Sequence, residues 1–384
     1  MSARGWSLEC SVCRARRGSE GLPAVCEGCG APYLVRLAAA PPTSLKRVLA
    51  DRPWTMWRYR EWLPLDPDEQ AVSLGEGGTP LLNAARLANR AGFERLLVKD
   101  ESVNPTGSFK ARGLSAAVTR ARAAGATRFV VPTAGNAGIA LAAYAARAGL
   151  PARVYAPRTT PGPILTQIRC FGAELILIDG HIGDCGRAAR AWASESGAVD
   201  VSTLREPYRI EGKKTLGLEL AEQTVWTLPD VIVYPTGGGT GLIGMWKAFN
   251  ELRDAGWVDG RLPRMFAVQA TGCAPVVQAF EHGADRCTAC PDPQTVAAGL
   301  RVPGPFGDRL ILTALRESGG GAVAVSDPEL TEAAEQFMRV EGIDAAPEGG
   351  ATLAGARALL RQGAIRPADT VVLFNTGAGW LYRA

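Results

Sequence analysis

The sequence predicts an α/β protein: a mainly parallel sheet covered on both faces by helices, with a small cysteine-rich ribbon ahead of it. Three observations carry this reading. Short apolar runs recur at residues 96–98, 129–131, 153–155, 175–178, 231–233, 266–268 and 371–374, with Ala-rich amphipathic stretches between them. Three of these runs end in glycine-containing turns that open a helical stretch, which places three loops at the carboxyl ends of strands, where ligands bind in such folds. Residues 1–40 stand apart, with two Cys-x-x-Cys pairs, Cys10/Cys13 and Cys26/Cys29.

The elements follow in chain order. Cys10, Cys13, Cys26 and Cys29 can give four thiolates to one tetrahedral zinc, and a closed four-thiolate set implies a structural metal. Ala38-Ala39-Ala40-Pro41-Pro42 is a linker, and the aromatic segment 54–62 is expected to dock helically on the main body, so 41–75 is a linker and docking region. After a strand-like stretch, 95–99, comes Asn104-Pro105-Thr106-Gly107-Ser108-Phe109-Lys110, then a helical stretch at 111–124. An amine at the end of such a turn is held still and can anchor a carbonyl cofactor; by itself, though, a lysine is more often a solvated charge.

Pro132-Thr133-Ala134-Gly135-Asn136-Ala137-Gly138 opens the helix 139–148, and Pro235-Thr236-Gly237-Gly238-Gly239-Thr240-Gly241 opens the helix 242–252. Glycines at a strand-to-helix junction turn backbone N–H groups toward an anion, and the helix end adds partial positive charge. Either loop alone would pass for an ordinary turn. Neither is a Walker loop, and neither fits G-x-G-x-x-G with an acidic partner, which argues against a dinucleotide. Cys287 and Cys290 form a third Cys-x-x-Cys with no second pair nearby, a chance spacing.

Composition narrows the chemistry. The chain has 384 residues, a formal charge of +4 with acids and bases mixed, and no long apolar run or N-terminal signal. We therefore expect no nucleic-acid partner, no membrane span and a cytoplasmic location. Nine cysteines, an odd number, fit a reducing compartment. Only two histidines, His181 and His282, are present, which leaves lysine and carboxylates as the main candidate bases.

Taken together, Asn104 to Gly113, the Ala134-Gly135-Asn136-Ala137-Gly138 loop and the Gly237-Gly238-Gly239-Thr240 loop resemble the fold type II pyridoxal-phosphate enzymes, most closely the threonine synthase group. Gly75-Glu76-Gly77-Gly78-Thr79-Pro80-Leu81, Glu211-Gly212-Lys213-Lys214-Thr215 and Asn375-Thr376-Gly377-Ala378-Gly379 extend the similarity over residues 75–382. The resemblance implies two doubly wound α/β lobes after the zinc ribbon, with pyridoxal 5′-phosphate in the cleft between them. The large lobe would be 76–104 plus 206–384 and the small lobe 105–205. A homodimer acting on a small amino-acid substrate is expected.

The resemblance also implies roles. Lys110 would hold the cofactor aldehyde as a Schiff base and shuttle protons, with Phe109 supporting the ring. Asn136 would bond the 3′ oxygen, Gly237, Gly238, Gly239 and Thr240 would bind the phosphate, and Thr376 would face the pyridine nitrogen. Thr133 and neighbouring N–H groups would hold the substrate carboxylate. Arg209, then Lys213 and Lys214, are candidates for the leaving phosphate of O-phospho-L-homoserine. Five positions depart from the group: Ala111 where an aspartate would pair with Arg112, Ala134 lacking a hydroxyl, Leu204 and Glu206 beside Arg209, where a carboxylate would repel phosphate, and bulky Trp380. The alternatives are a threonine or serine dehydratase and a β- or γ-replacement paralogue with a different substrate.

Overall fold

The structure, a computed structural model, describes residues 5–383. The ribbon comes first: β1 (Trp6–Cys10) lies between β2 (Arg16–Arg17) and β3 (Tyr33–Leu37), antiparallel to both. The aromatic segment forms the 3₁₀ helix Met56–Trp62, and Trp62 is buried edge-on to Trp257, 5.3 Å between ring centroids.

The body is a mixed α/β fold. Its strands are β4 (Leu81–Asn83), β5 (Arg95–Asp100), β6 (Phe129–Pro132), β7 (Ala152–Pro157), β8 (Glu174–Ile178), β9 (Val199–Asp200), β10 (Val231–Pro235), β11 (Arg264–Ala270), β12 (Gly321–Val325) and β13 (Thr370–Asn375). They form two sheets. One runs β12-β11-β10-β13-β5-β4, with only β4 antiparallel to its neighbour; the other runs β8-β7-β6-β9, all parallel. β4, β9 and β12 are the strands the sequence pattern did not reveal. The first two have three and two residues, and β12 is a short Gly-Ala-Val edge strand that alternates between buried and half-buried positions.

Alternation along a strand explains how one sheet supports two cores. On β10, Val231 and Val233 enter one apolar cluster, while Ile232 and Tyr234 enter another on the opposite face. In the larger sheet the chain order reverses between β10 and β13, and in the smaller one between β6 and β9. Loops diverge at such points and open a crevice at the carboxyl ends of the strands. Both glycine loops and Thr376 follow strands at these points. Among the described residues no helix is long and apolar enough to cross a membrane.

Beneath the crevice lies a buried charge network. Arg112 pairs with Glu101 at 2.7 Å and Glu219 at 3.0 Å, and Lys99 pairs with Glu219 at 2.5 Å, all of them out of contact with solvent. The Ala111 departure thus leaves Arg112 with two carboxylates. The partner expected at position 111 is supplied instead by β5's end and by the helix Tyr208–Gln223.

Candidate functional site

A cavity of about 520 Å³ opens between the carboxyl ends of the two sheets. It gathers Phe109, Lys110, Thr133, Asn136, Arg209, Gly237, Gly238, Gly239, Thr240 and Thr376, although more than 260 positions separate the first from the last. Lys110 is the first residue of the helix Lys110–Ala123, and its Nζ lies 4.0 Å from the centre of the Phe109 ring. Burial and the positive charge of Arg209 push the amine down to about 7, against the opposing pull of Glu348. No carboxylate is ion-paired to it among the described residues. An amine in this state can give up its proton near neutrality and act as a nucleophile or base.

Two helix ends supply anion sites. Gly239 takes the left-handed conformation, φ 71°, immediately before the helix Thr240–Asp254, a turn that disfavours any side chain. The N–H groups from Gly237 to Gly241 have no acceptor among the described residues, so they remain available to an anion at the helix end. The second end is Asn136–Ala148, after β6. Here the Thr133 N–H is already used by the Tyr155 carbonyl (2.9 Å), and the Thr133 hydroxyl accepts from the Gly135 N–H (3.0 Å). The free donors in this loop are therefore the N–H groups of Ala134, Asn136 and Ala137, with Thr133 shaping the loop. Gly138 lets the helix approach the strand, since a Cβ there would lie 2.7 Å from Thr133 Cγ2 and 3.0 Å from Val154 Cγ1.

Arg209 is buried and aimed at the cavity, with Nη1 donating to the Val201 carbonyl at 2.6 Å and Nε without a partner. Arg187, Arg190, Arg205 and Arg301 line the same cavity, so that with Arg209 it has an arginine wall of net positive charge, of which Arg187 is paired with Asp184. These four were missed by sequence reading; Arg187 and Arg190 are three apart on the helix Ile182–Ser196, a spacing that looks like any solvated helix face.

Lys213 and Lys214 do not reach the cavity. Lys213 Nζ donates to the Phe109 carbonyl and lies 3.9 Å from that ring's centre, while Lys214 pairs with Glu211 at 2.7 Å and Glu251 at 2.9 Å. Arg209 and Lys213, four apart, share one face of the helix, but Lys213 lies a turn further along and is taken up by Phe109, whereas Lys214, the next residue, points about 100° away toward its carboxylates. Glu206 also turns away: its carboxylate accepts the N–H groups of Tyr208 (2.6 Å) and Arg209 (3.1 Å) and caps the helix. Repulsion of a bound phosphate, expected from its position in sequence, is thereby reduced. Trp380 is half exposed and packs outside against Gly107.

Two other cavity residues escaped notice. Glu348 is the only carboxylate among the described lining residues; Gly299 N–H donates to it at 2.6 Å, and burial pushes its carboxyl up. The Tyr382 hydroxyl accepts from Asn136 Nδ2 at 3.3 Å and faces Glu348.

In the ribbon, the Sγ atoms of Cys10, Cys13, Cys26 and Cys29 lie within 4.8 Å of one another. Tetrahedral coordination with Zn–S distances of about 2.3 Å needs sulfurs somewhat under 4 Å apart, and Cys10–Cys29 and Cys13–Cys26 are at 3.4 and 3.6 Å. Cys287 and Cys290 go separate ways, the first bonded through its N–H to Asp308 and the second to Pro303.

The cavity suits pyridoxal phosphate on its own features: an unpaired amine, a buried Asn136 Oδ1 with no partner, and an open row of N–H groups at a helix end. Comparison with known proteins agrees. The profile of the family described as pyridoxal-phosphate dependent enzyme matches residues 72–377. A threonine synthase of Methanosarcina acetivorans is 35% identical over 375 residues, 97% of this chain and 91% of that one. A threonine synthase of Methanocaldococcus jannaschii is 36% identical over 326 residues, 84% and 80% of the two chains. Among solved structures, a threonine deaminase from T.th. is similar with a TM-score of 0.63 at 27% identity, covering 78% of this chain and 92% of that one. Maize serine racemase, TM-score 0.68 at 24% identity, covers 78% and 88% and shows the same fold. This chain belongs to the pyridoxal-phosphate dependent enzyme family.

Proposed function

We propose that the enzyme is a threonine synthase, converting O-phospho-L-homoserine and water to L-threonine and phosphate. The observation that carries this reading is a single cavity with Lys110 in its wall and, besides the Thr133 loop for a carboxylate, two separate places for phosphates: the glycine loop at a helix end, and the arginine wall. One anion site serves the cofactor phosphate and the other the substrate phosphate. A dehydratase acting on threonine or serine has no use for the second. The relatives' names support the same reading.

The residues divide the work as follows. Lys110 would hold the cofactor through its aldehyde, and once freed its amine would take and return protons at the substrate's Cα and Cβ. Phe109 would support the cofactor ring, Asn136 would hydrogen-bond the 3′ oxygen, and Gly237, Gly238, Gly239 and Thr240 would hold its phosphate. Thr376, a neutral hydroxyl, would meet the pyridine nitrogen. Bound pyridoxal phosphate would supply the electron sink for charge developing on the substrate. Ala134, Asn136 and Ala137 N–H groups, with Thr133 shaping their loop, would hold the substrate carboxylate. Arg209 would bind the substrate phosphate together with the cavity's other arginines and balance the charge released on elimination.

The two sheets support a division into a large lobe, 76–104 plus 206–384, and a small lobe, 105–205. The sulfur geometry supports a structural zinc on Cys10, Cys13, Cys26 and Cys29.

The test is to incubate the purified holoenzyme with O-phospho-L-homoserine and measure phosphate, threonine and 2-oxobutyrate together. Equal phosphate and threonine support the proposal. Phosphate with 2-oxobutyrate means the intermediate is released without hydration, and no phosphate from a coloured enzyme means a different substrate. Lys110→Ala must lose the cofactor's bound-form absorbance.

A further inference from the structure

We infer that Tyr208 joins the cysteine ribbon to the arginine wall, so that metal held by the ribbon keeps Arg209 in position. The inference rests on the reading of Arg209 as an anion ligand and goes beyond it. The ribbon's apolar core contains Trp6, Leu8, Cys10, Cys26, Tyr33 and Val35, and Tyr208 completes it from outside the ribbon. Tyr208 begins the helix Tyr208–Gln223, and Arg209 is its second residue. Successive helical side chains diverge by about 100°, so one residue enters the ribbon core while the next enters the cavity. Both are buried, and both backbone N–H groups are held by Glu206, which leaves little freedom for one to move without the other.

A second contact crosses the same junction. The Arg120 guanidinium lies 4.6 Å from the ring centre of Trp6 and 5.7 Å from that of Tyr208, and is ion-paired with Glu69. Arg120 belongs to the helix that Lys110 begins.

The ribbon itself is small, with strands of five, two and five residues, and in such modules metal binding supplies much of the folding free energy. Two of the four cysteines, Cys10 and Cys26, are buried in the very cluster that receives Tyr208. Loss of the metal would loosen this cluster, withdraw the support of Tyr208 and let Arg209 leave its bond to Val201. Tyr208 is thus a positioning residue, acting on the substrate anion only through Arg209.

Coupling between two sites is reciprocal, which gives a readout that does not depend on turnover. The holoenzyme, with its zinc content measured and its cofactor loaded so that the glycine loop is filled, is mixed with a chromogenic chelator with and without inorganic phosphate. Phosphate affinity is measured in parallel by calorimetry. The expected result, read at equilibrium as the share of zinc the chelator captures, is that phosphate tightens zinc binding roughly fivefold or more. Arg209→Ala and Tyr208→Ala should abolish this protection, and Tyr208→Phe, which keeps the ring, should restore it. Stripping the zinc should weaken phosphate binding by the same factor while the cofactor absorbance stays.

Zinc binding indifferent to phosphate, in an enzyme whose phosphate binding does depend on Arg209, would overturn the coupling, as would a holoenzyme that contains no zinc. Phosphate affinity unchanged by Arg209→Ala would instead overturn the anion reading beneath it. Because the wild-type measurement stands alone, misfolding of the alanine variant, checked by circular dichroism, would not rescue the inference.

Discussion

Lys213 reaches from the helix Tyr208–Gln223 to the carbonyl of Phe109, the residue directly before Lys110. The lysine that seemed a substrate ligand is instead a brace behind Lys110. Burial and the positive charges of Lys110 and Arg209 hold its amine well below the usual lysine range. Lys213→Met removes a donor, leaving a buried carbonyl unsatisfied at about 1–3 kcal/mol, but also relieves the cost of a buried amine. We expect the urea unfolding free energy to change by less than about 2 kcal/mol, while the cofactor dissociates several-fold faster. Unchanged cofactor loss, followed by absorbance, would show that the brace is dispensable.

Lys110 should leave a signature in the pH dependence of the cofactor-free protein. Its folded value, about 7, lies below its unfolded value, so between these the unfolded chain binds the extra proton. Wild-type stability should therefore rise as pH increases from about 7 toward the ordinary lysine value near 10.5, as the cost of burying the charge disappears. Lys110→Met lacks this arm. It should be more stable than wild type by about 4 kcal/mol near pH 7, with the gap falling below about 1 kcal/mol by pH 10 in urea titrations.

Glu206 should act with the opposite sign. Burial pushes its carboxyl up to about 7, so the folded state retains a proton that the unfolded chain loses near pH 4.5. This group lowers wild-type stability as pH rises between those values. Glu206→Gln keeps an oxygen to cap the helix and should remove that slope, with a gain of about 3 kcal/mol at pH 8. Because Glu206 faces away from the cavity, the KM for the phospho-substrate should change less than twofold.

The Arg112 network should be costly to break. Two carboxylates at 2.7 and 3.0 Å hold the guanidinium's proton more firmly than usual despite its burial. Arg112→Met would leave Glu101 and Glu219 buried beside a single lysine and should destabilise the protein by about 3–5 kcal/mol, read as a lower melting temperature. Adding Glu101→Gln should recover part of that loss.

Tyr382→Phe should test the Asn136–Tyr382–Glu348 chain. With the hydroxyl gone, kcat should fall roughly tenfold while the cofactor remains bound, the loss of one ordinary hydrogen bond. Release of the cofactor would place Tyr382 in cofactor binding instead.

The local parts of this protein were legible because they are written in short contiguous stretches. Apolar runs became β5, β6, β7, β8, β10, β11 and β13; Gly239 had to be glycine to enter the left-handed turn before a helix; the cysteine spacing foretold four clustered sulfurs. Lys110 was legible for the same reason, since its turn and its helix lie side by side in the chain. What needed tertiary structure was direction and company. Arg209, Lys213 and Lys214 look alike in a line, but their places along and around one helix give each a different neighbour: a cavity, a carbonyl and a pair of carboxylates. Glu206 could be seen as a charge near Arg209 but not as a helix cap. Arg187, Arg205, Glu348 and Tyr382 carry no local motif, because their shared cavity exists only where two sheets meet. Backbone conformation follows from neighbours in sequence, whereas charge, burial and access follow from neighbours in space.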